Sequence, residues 1–285
     1  PIITSLRQLA RQGTSHVMLD EKAREVLRSF YRRPRTASRQ QAGQPARAGA
    51  TAPTRTPAFP PPPQSEPAGA IPVPEPSGAT VEEQLDSLRA QAATWEPCLR
   101  LGTLRDTMVF STGNPRADLM LVGEAPGHNE ELEGKPFVGK AGQKLNQILQ
   151  AMDLRREGVY ISNICKFRPA MARNQGTANR KPTREEMDAC IPFVRAEISL
   201  VRPKCIVALG ATAAEGLLHS ELGVGKLRGS WHEFEGIPVR VTYHPSYLLH
   251  NEHASGEKRK VWDDMLTVME QLGMTITERQ RGFFQ

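Results

Sequence analysis

Three stretches of this sequence combine side chains that can do chemistry with residues that make turns. Gly123-Glu124-Ala125-Pro126-Gly127-His128-Asn129-Glu130-Glu131 is followed closely by Gly134-Lys135-Pro136-Phe137-Val138-Gly139-Lys140-Ala141-Gly142. Two glycine-rich turns allow a ligand to approach the backbone and place acids and one aromatic ring beside it. The pattern is neither a P-loop, which would carry Gly-Lys-Ser/Thr, nor a dinucleotide fingerprint. The competing reading is an ordinary strand-to-helix loop. Asn163 offers an amide donor and acceptor to a base edge, where a lone Asn otherwise serves as a turn or cap residue. Tyr243-His244-Pro245-Ser246-Tyr247-Leu248-Leu249-His250 holds a histidine in a rigid proline turn. A single histidine is otherwise most often a satisfied core or surface group.

Elements must bring these stretches together. Thr80 and Glu83 have capping-box spacing ahead of a helical stripe of Val81, Leu85, Leu88, Ala92 and Trp95, which starts an ordered domain. Short apolar runs at 119–122, 159–164, 206–209 and 239–242 predict strands. Amphipathic patterns at 141–152, 183–201, 211–218 and 258–272 predict helices. This alternation predicts an α/β fold of three layers, α/β/α, around a central, mainly parallel four-stranded sheet. Function in such sheets gathers in the loops at the carboxyl ends of the strands, where each of the three stretches lies.

Composition bounds the rest. Residues 1–80 hold 11 Lys and Arg against 5 Asp and Glu, so residues 81–285 carry 26 of each and the net charge of +6 belongs to the N-terminal part. Such an arm suits salt-sensitive attraction to a polyanion, with solvated Arg in a tail as the plainer alternative. Residues 1–33 read as a basic arm with a short amphipathic helix over 23–31. Residues 34–79 read as a Pro/Ala-rich disordered linker holding 12 of the 23 prolines between Pro34 and Pro76. Residues 80–273 form the domain and 274–285 a C-terminal tail. No apolar run reaches membrane-spanning length and no secretory segment opens the sequence, so a cytoplasmic location is expected.

Taken together, Gly113-Asn114-Pro115, the stretches at 123–127, 130–131 and 134–142, Val159-Tyr160-Ile161-Ser162-Asn163, Asn179-Arg180-Lys181-Pro182 and 244–249 resemble a family-4 uracil-DNA glycosylase. The resemblance spans about residues 99–272. It implies excision of uracil from DNA by flipping the nucleotide into a pocket and hydrolysing its N-glycosidic bond. By resemblance Phe137 stacks on the base, Asn163 bonds its edge, and backbone near Gly123 and Ala125 completes the pocket. His244 meets the developing uracil anion, while Glu124 or Glu130 stabilises the sugar cation or orients water, with Glu130 matching the family's water-positioning acid. Tyr247 and Leu248 are candidates to press into the duplex beside Ser246, and Arg168, Arg180 and Lys181 to contact phosphates. The apolar residues of the loop and these cations have plainer roles as loop packing and solvated charge.

The resemblance also implies a four-iron, four-sulfur cluster on four cysteines, and here the sequence departs from it. Glu96, Leu99 and Phe167 occupy three ligand positions, and only Cys190 stands at the fourth. No cofactor and no metal are therefore expected, with Cys98, Cys165, Cys190 and Cys205 reduced. The loop after Arg168 is longer than the family norm and contains no histidine to trap DNA covalently. The expected partner is uracil-containing DNA, single- or double-stranded, and segment 23–31 is a candidate to dock a repair or replication protein. The competing function is a catalytically idle nucleic-acid-binding protein on the same fold, against which the retained carboxylates, Asn163 and His244 argue.

Overall fold

The computed structural model describes residues 71–171, 175–250 and 255–285. The expected arm and most of the expected linker lie outside the described residues. Helix α1 (Val81–Ala93) begins with the capping box foreseen in the sequence: Thr80 accepts from the Glu83 amide, and the Glu83 carboxylate accepts from the Thr80 amide. Before it, residues 71–79 run extended, with Glu75 exchanging hydrogen bonds with the Gln91 side chain.

After α2 (Glu96–Leu101) come β1 (Leu104–Met108), β2 (Thr112–Gly113) and β3 (Leu119–Gly123). Helices α3 (His128–Glu133) and α4 (Lys140–Ala151) lead to β4 (Tyr160–Asn163) and β5 (Phe167–Pro169). Then follow α5 (Arg184–Val201), β6 (Cys205–Leu209), α6 (Ala211–Leu218), α7 (Val224–Leu227), β7 (Trp231–Phe234) and β8 (Ile237–Thr242). Helices α8 (Pro245–His250), α9 (Ser255–Gln271) and α10 (Glu278–Arg281) complete the chain.

The four strands expected from the apolar runs are β3, β4, β6 and β8, and they pair in parallel in the order β4-β3-β6-β8. The sheet is wider than four strands. Short β2 pairs antiparallel with β4 at one edge and β7 antiparallel with β8 at the other, making six, and β1 and β5 form a separate two-stranded ribbon. β1, β2 and β7 carry mixed polar side chains on half-exposed edges, and buried β5 is only three residues long, so no apolar run marks them.

Alternation along the buried strands separates two cores. Met120 and Val122 of β3 face Leu88, Phe193, Val194 and Leu217 on α1, α5 and α6. Leu119 and Leu121 face Leu145, Leu149, Trp262, Met265 and Met269 on α4 and α9. Each fully buried side chain of this size stabilises the fold by about 1.5–3 kcal/mol. The expected C-terminal tail is part of this second layer: Gln280 is buried, Trp262 donates to its carbonyl at 2.6 Å, and Phe283 lies 5.3 Å from the Trp262 ring.

Polar groups are buried behind β4. Lys166 and Glu197 are both fully buried and 2.6 Å apart, Ser162 bonds both, and Tyr160 donates to the other Glu197 oxygen. Burial with the neighbouring Glu197 charge raises the Tyr160 phenol well above its ordinary pKa, so it remains a donor. Removing one partner of such a pair strands the other charge in an apolar surrounding. Lys166→Met is expected to lower stability by about 3–5 kcal/mol in equilibrium urea unfolding, and Lys166→Met with Glu197→Leu to lower it by less. A single-variant loss below about 1 kcal/mol would show that the pair is not a structural support of this strand.

Candidate active site

The parallel register sets Gly123 of β3 beside Asn163 of β4, and Leu209 of β6 beside Thr242 of β8. All four strands therefore end on one rim. A cavity of about 450 Å³ opens there, lined by Glu124, Ala125, Glu130, Phe137, Asn163, His244 and Ser246, with residues 179–181 and 209–212 on its other sides. It lies where the chain order reverses, β3 to β4 running one way and β6 to β8 the other.

Phe137 and His244 face each other with ring centroids 5.6 Å apart and planes 32° from parallel. Gly123 is a spacer beneath them. A Cβ there would sit 2.4 Å from Asn163 Oδ1 and 2.5 Å from Phe137 Cζ, so only glycine lets the ring and the amide approach each other. Its carbonyl accepts from the Ile164 amide at 3.0 Å. Ala125 lines the cavity.

The two carboxylates have different surroundings. Glu130 accepts three backbone N–H groups, from Gly127 at 3.2 Å, Val138 at 3.0 Å and Gly139 at 2.8 Å, and so buckles the two glycine-rich turns together. Glu124 accepts from the Thr212 hydroxyl. Burial raises its pKa, opposed by that hydrogen bond and by the Lys181 charge.

His244 is held in one tautomer. The Ser246 amide donates to Nδ1 at 3.2 Å and the Ser246 hydroxyl lies 2.7 Å from the same nitrogen. A nitrogen that accepts from an amide carries no proton in the neutral ring, so the hydrogen resides on Nε2. Burial pushes the imidazole down to about 4, against the pull of Glu130, and it is neutral near pH 7.

Several expected DNA contacts fall elsewhere. Arg168 is buried: it donates to Asn179 Oδ1 at 2.9 Å, Glu131 at 2.9 Å, and the Gly176 and Ala178 carbonyls at 3.0 and 2.7 Å. Arg180 is equally committed, to Glu186 at 2.6 and 2.8 Å and to the Thr103 and Ala170 carbonyls. Both are internal ties that shape the loop beside the cavity; Arg168 is fully enclosed, whereas Arg180 keeps part of its side chain on the cavity wall. Lys181 remains half-exposed while paired with Glu215 at 2.7 Å. Leu248 is buried, turned by α8 into the core with Trp262, whereas Tyr247 is exposed and stacks on Tyr243 at 4.7 Å.

Two residues of the cavity wall and one behind it carry no role in the sequence reading. Asn179 and Thr212 line the wall, and Arg156 donates to the backbone beneath Phe137. Asn179 was visible within a motif but had no role; Thr212 and Arg156 carry no local signal, since their partners are far away in the chain.

Cys98, Cys165 and Cys190 meet behind α5, with Cys98 Sγ and Cys190 Sγ 3.3 Å apart. Hydrogen bonding to Cys190, then burial, holds the Cys98 and Cys165 thiols above their ordinary pKa. Cys205 belongs to the other core. A four-iron cubane needs four thiolates spread around its corners. Three sulfurs, with Cys190 hydrogen-bonded to both Cys98 and Cys165, do not fit one, and among the described residues no group of three His, Cys, Asp or Glu side chains is arranged to hold a metal ion. Nor is any helix among the described residues long and apolar enough to cross a membrane.

Comparison with known proteins agrees with this geometry. Residues 110–266 match the family model of the uracil DNA glycosylase superfamily. A type-4 uracil-DNA glycosylase of Thermotoga maritima is 41% identical over 159 residues, covering 55% of this chain and 78% of that protein. One from Sulfurisphaera tokodaii is 33% identical over 203 residues, covering 68% and 86%, and one from Archaeoglobus fulgidus is 35% identical over 176 residues, covering 59% and 84%. The chain thus belongs to the uracil-DNA glycosylase superfamily and, within it, to the type-4 enzymes.

Proposed function

We propose that this protein is a monofunctional uracil-DNA glycosylase that starts base-excision repair by extruding uracil into the cavity and hydrolysing its bond to deoxyribose. The observation that carries the reading is the convergence of an aromatic ring, a side-chain amide, a neutral imidazole and a half-buried carboxylate on one cavity. Each corresponds to one demand of the reaction. Phe137 stacks on the flipped ring, where base–aromatic stacking is worth about 1–3 kcal/mol, and Asn163 bonds its Watson–Crick edge.

Breaking the bond leaves negative charge on uracil and positive charge on the sugar. With Nδ1 accepting from Ser246, His244 donates from Nε2 to the uracil oxygen on which charge develops. A neutral donor suits this task without passing its proton on. Ser246 thereby acts through His244. Glu124 is better placed than Glu130 to stabilise the sugar cation or orient the attacking water. Glu130 already serves three amides, whereas Glu124 accepts the Thr212 hydroxyl and keeps bonding capacity on its other oxygen.

DNA would lie across the rim. Tyr247 takes the place of Leu248 as the side chain that enters the space left by the base. Exposed Lys135 and Lys140, flanking the Phe137 turn, and Lys181 supply phosphate contacts in place of Arg168 and Arg180. The basic excess of residues 1–80 adds salt-sensitive attraction, and a repair or replication protein engaging segment 23–31 would add a second tether. The chemistry fits a cytoplasmic enzyme, and no step of it calls on a metal or cluster.

Incubation with a uracil-containing oligonucleotide followed by alkali is expected to break the strand at uracil. An intact strand at high enzyme concentration would leave a DNA-binding protein without this activity. His244→Ala is expected to lower single-turnover excision by about a hundredfold with little change in DNA affinity, the effect of losing one donor to a developing anion. The pH profile follows from the shifts. His244 stays neutral well below pH 6, so the acid limb of kcat belongs to Glu124, whose raised pKa sets it above the ordinary carboxylate range. Glu124→Gln should be slow and lack that limb. A limb unchanged in Glu124→Gln would assign the essential anion to another group.

A further inference from the structure

Phe137 has a φ of 54°, in the left-handed region that a bulky side chain occupies only when its surroundings hold it there. The surroundings here are specific. Arg156 Nη1 donates to the Phe137 carbonyl at 2.9 Å and Nη2 to the Pro136 carbonyl, while Glu130 takes the next two amides, of Val138 and Gly139. One guanidinium and one carboxylate therefore hold one backbone group from each of the four residues 136 to 139.

The hold is tight on a third side. A Cβ on Gly142 would lie 1.8 Å from the Phe137 carbonyl oxygen, so the start of α4 presses on the same group that Arg156 grips. Arg156 is half-buried and opens the 3-10 turn Arg156–Gly158 that leads directly into β4, the strand ending at Asn163. It touches no part of the cavity surface. Its effect on a base would have to pass through the orientation of the Phe137 ring.

We propose that Arg156 is a positioning residue for base recognition: by gripping the Pro136 and Phe137 carbonyls it fixes the left-handed turn that holds the Phe137 ring in line with His244 and Asn163. Its guanidinium does this with a planar fork that spans two carbonyls at once, which a lysine ammonium does not reproduce. The inference rests on the reading of the cavity as a uracil site, and it assigns to the reaction a residue remote from the reacting atoms.

A double-mutant cycle tests it, with single-turnover excision from a uracil oligonucleotide and inhibition by free uracil as the two readouts. Arg156→Met is expected to slow excision about tenfold and to weaken inhibition by free uracil by about the same factor, the scale of one lost stacking interaction. Arg156→Lys should recover part of both losses. On a Phe137→Leu background, Arg156→Met should cost less than about twofold, because the ring through which it acts is gone. Equal losses in the two backgrounds, or wild-type rate and inhibition in Arg156→Met, would overturn the proposal. If Arg156→Met does not fold, Arg156→Lys carries the same cycle. Absence of excision by the wild-type protein would instead sink the uracil reading, so the two failures are distinguishable.

Discussion

Because β4, β3, β6 and β8 run in parallel with their ends in register, loops that are distant in sequence must open on one rim, and the site depends on that alignment. Asn163 and His244 are 81 positions apart in the chain, yet Asn163 ends β4 and His244 follows β8 in the same sheet. A slip of one residue in β4 would turn its side chains to the opposite face and carry the Asn163 amide away from the Phe137 ring. The buried ladder behind β4 opposes such a slip. Ser162, Lys166 and Glu197 form a hydrogen-bonded set that is satisfied in one register only.

The same economy of charge runs through the loops around the cavity. Arg168 and Arg180 spend their guanidinium groups on carbonyls and on Glu131 and Glu186, carboxylates that are themselves lowered in pKa. For both acids burial opposes ionisation, and the bonds from Arg105 and Arg168, or from Arg180 and the Thr103 side chain, outweigh it. These ties substitute for regular secondary structure in segments where the backbone would otherwise lack partners. They also leave the exposed lysines, Lys135, Lys140 and Lys181, as the freer cations around the site.

Much of this was legible in the sequence, for identifiable reasons. The central strands β3 and β6 are continuous apolar runs, β4 and β8 are largely apolar, and Thr80 and Glu83 spell a helix start that forms as written. The edge strands were not legible. β7 and β8 are joined by Glu235-Gly236 rather than the Asn-Gly or Asp-Gly pair that flags a hairpin. The cavity residues with unusual types beside glycines, Glu124, Glu130 and Phe137, could be found locally. Arg168, Arg180 and Leu248 were misread because exposure is a property of tertiary contact: a charged side chain near a site looks like a phosphate ligand until its carboxylate partner, far along the chain, is known. The reverse holds for Arg156 and Thr212, whose sequence neighbourhoods give no hint of what they touch. The three sulfurs that converge from α2, the end of β4 and α5 were likewise unreadable from spacing alone.

The central claim is that the cavity between Phe137, Asn163 and His244 receives the extruded base. A crystal structure of His244→Ala bound to a DNA strand containing deoxyuridine tests it most directly. The account predicts the uracil ring lying on Phe137 with its edge on the Asn163 amide and the sugar facing Glu124. Uracil left within the DNA strand, with the cavity walls contacting only backbone phosphate, would contradict it.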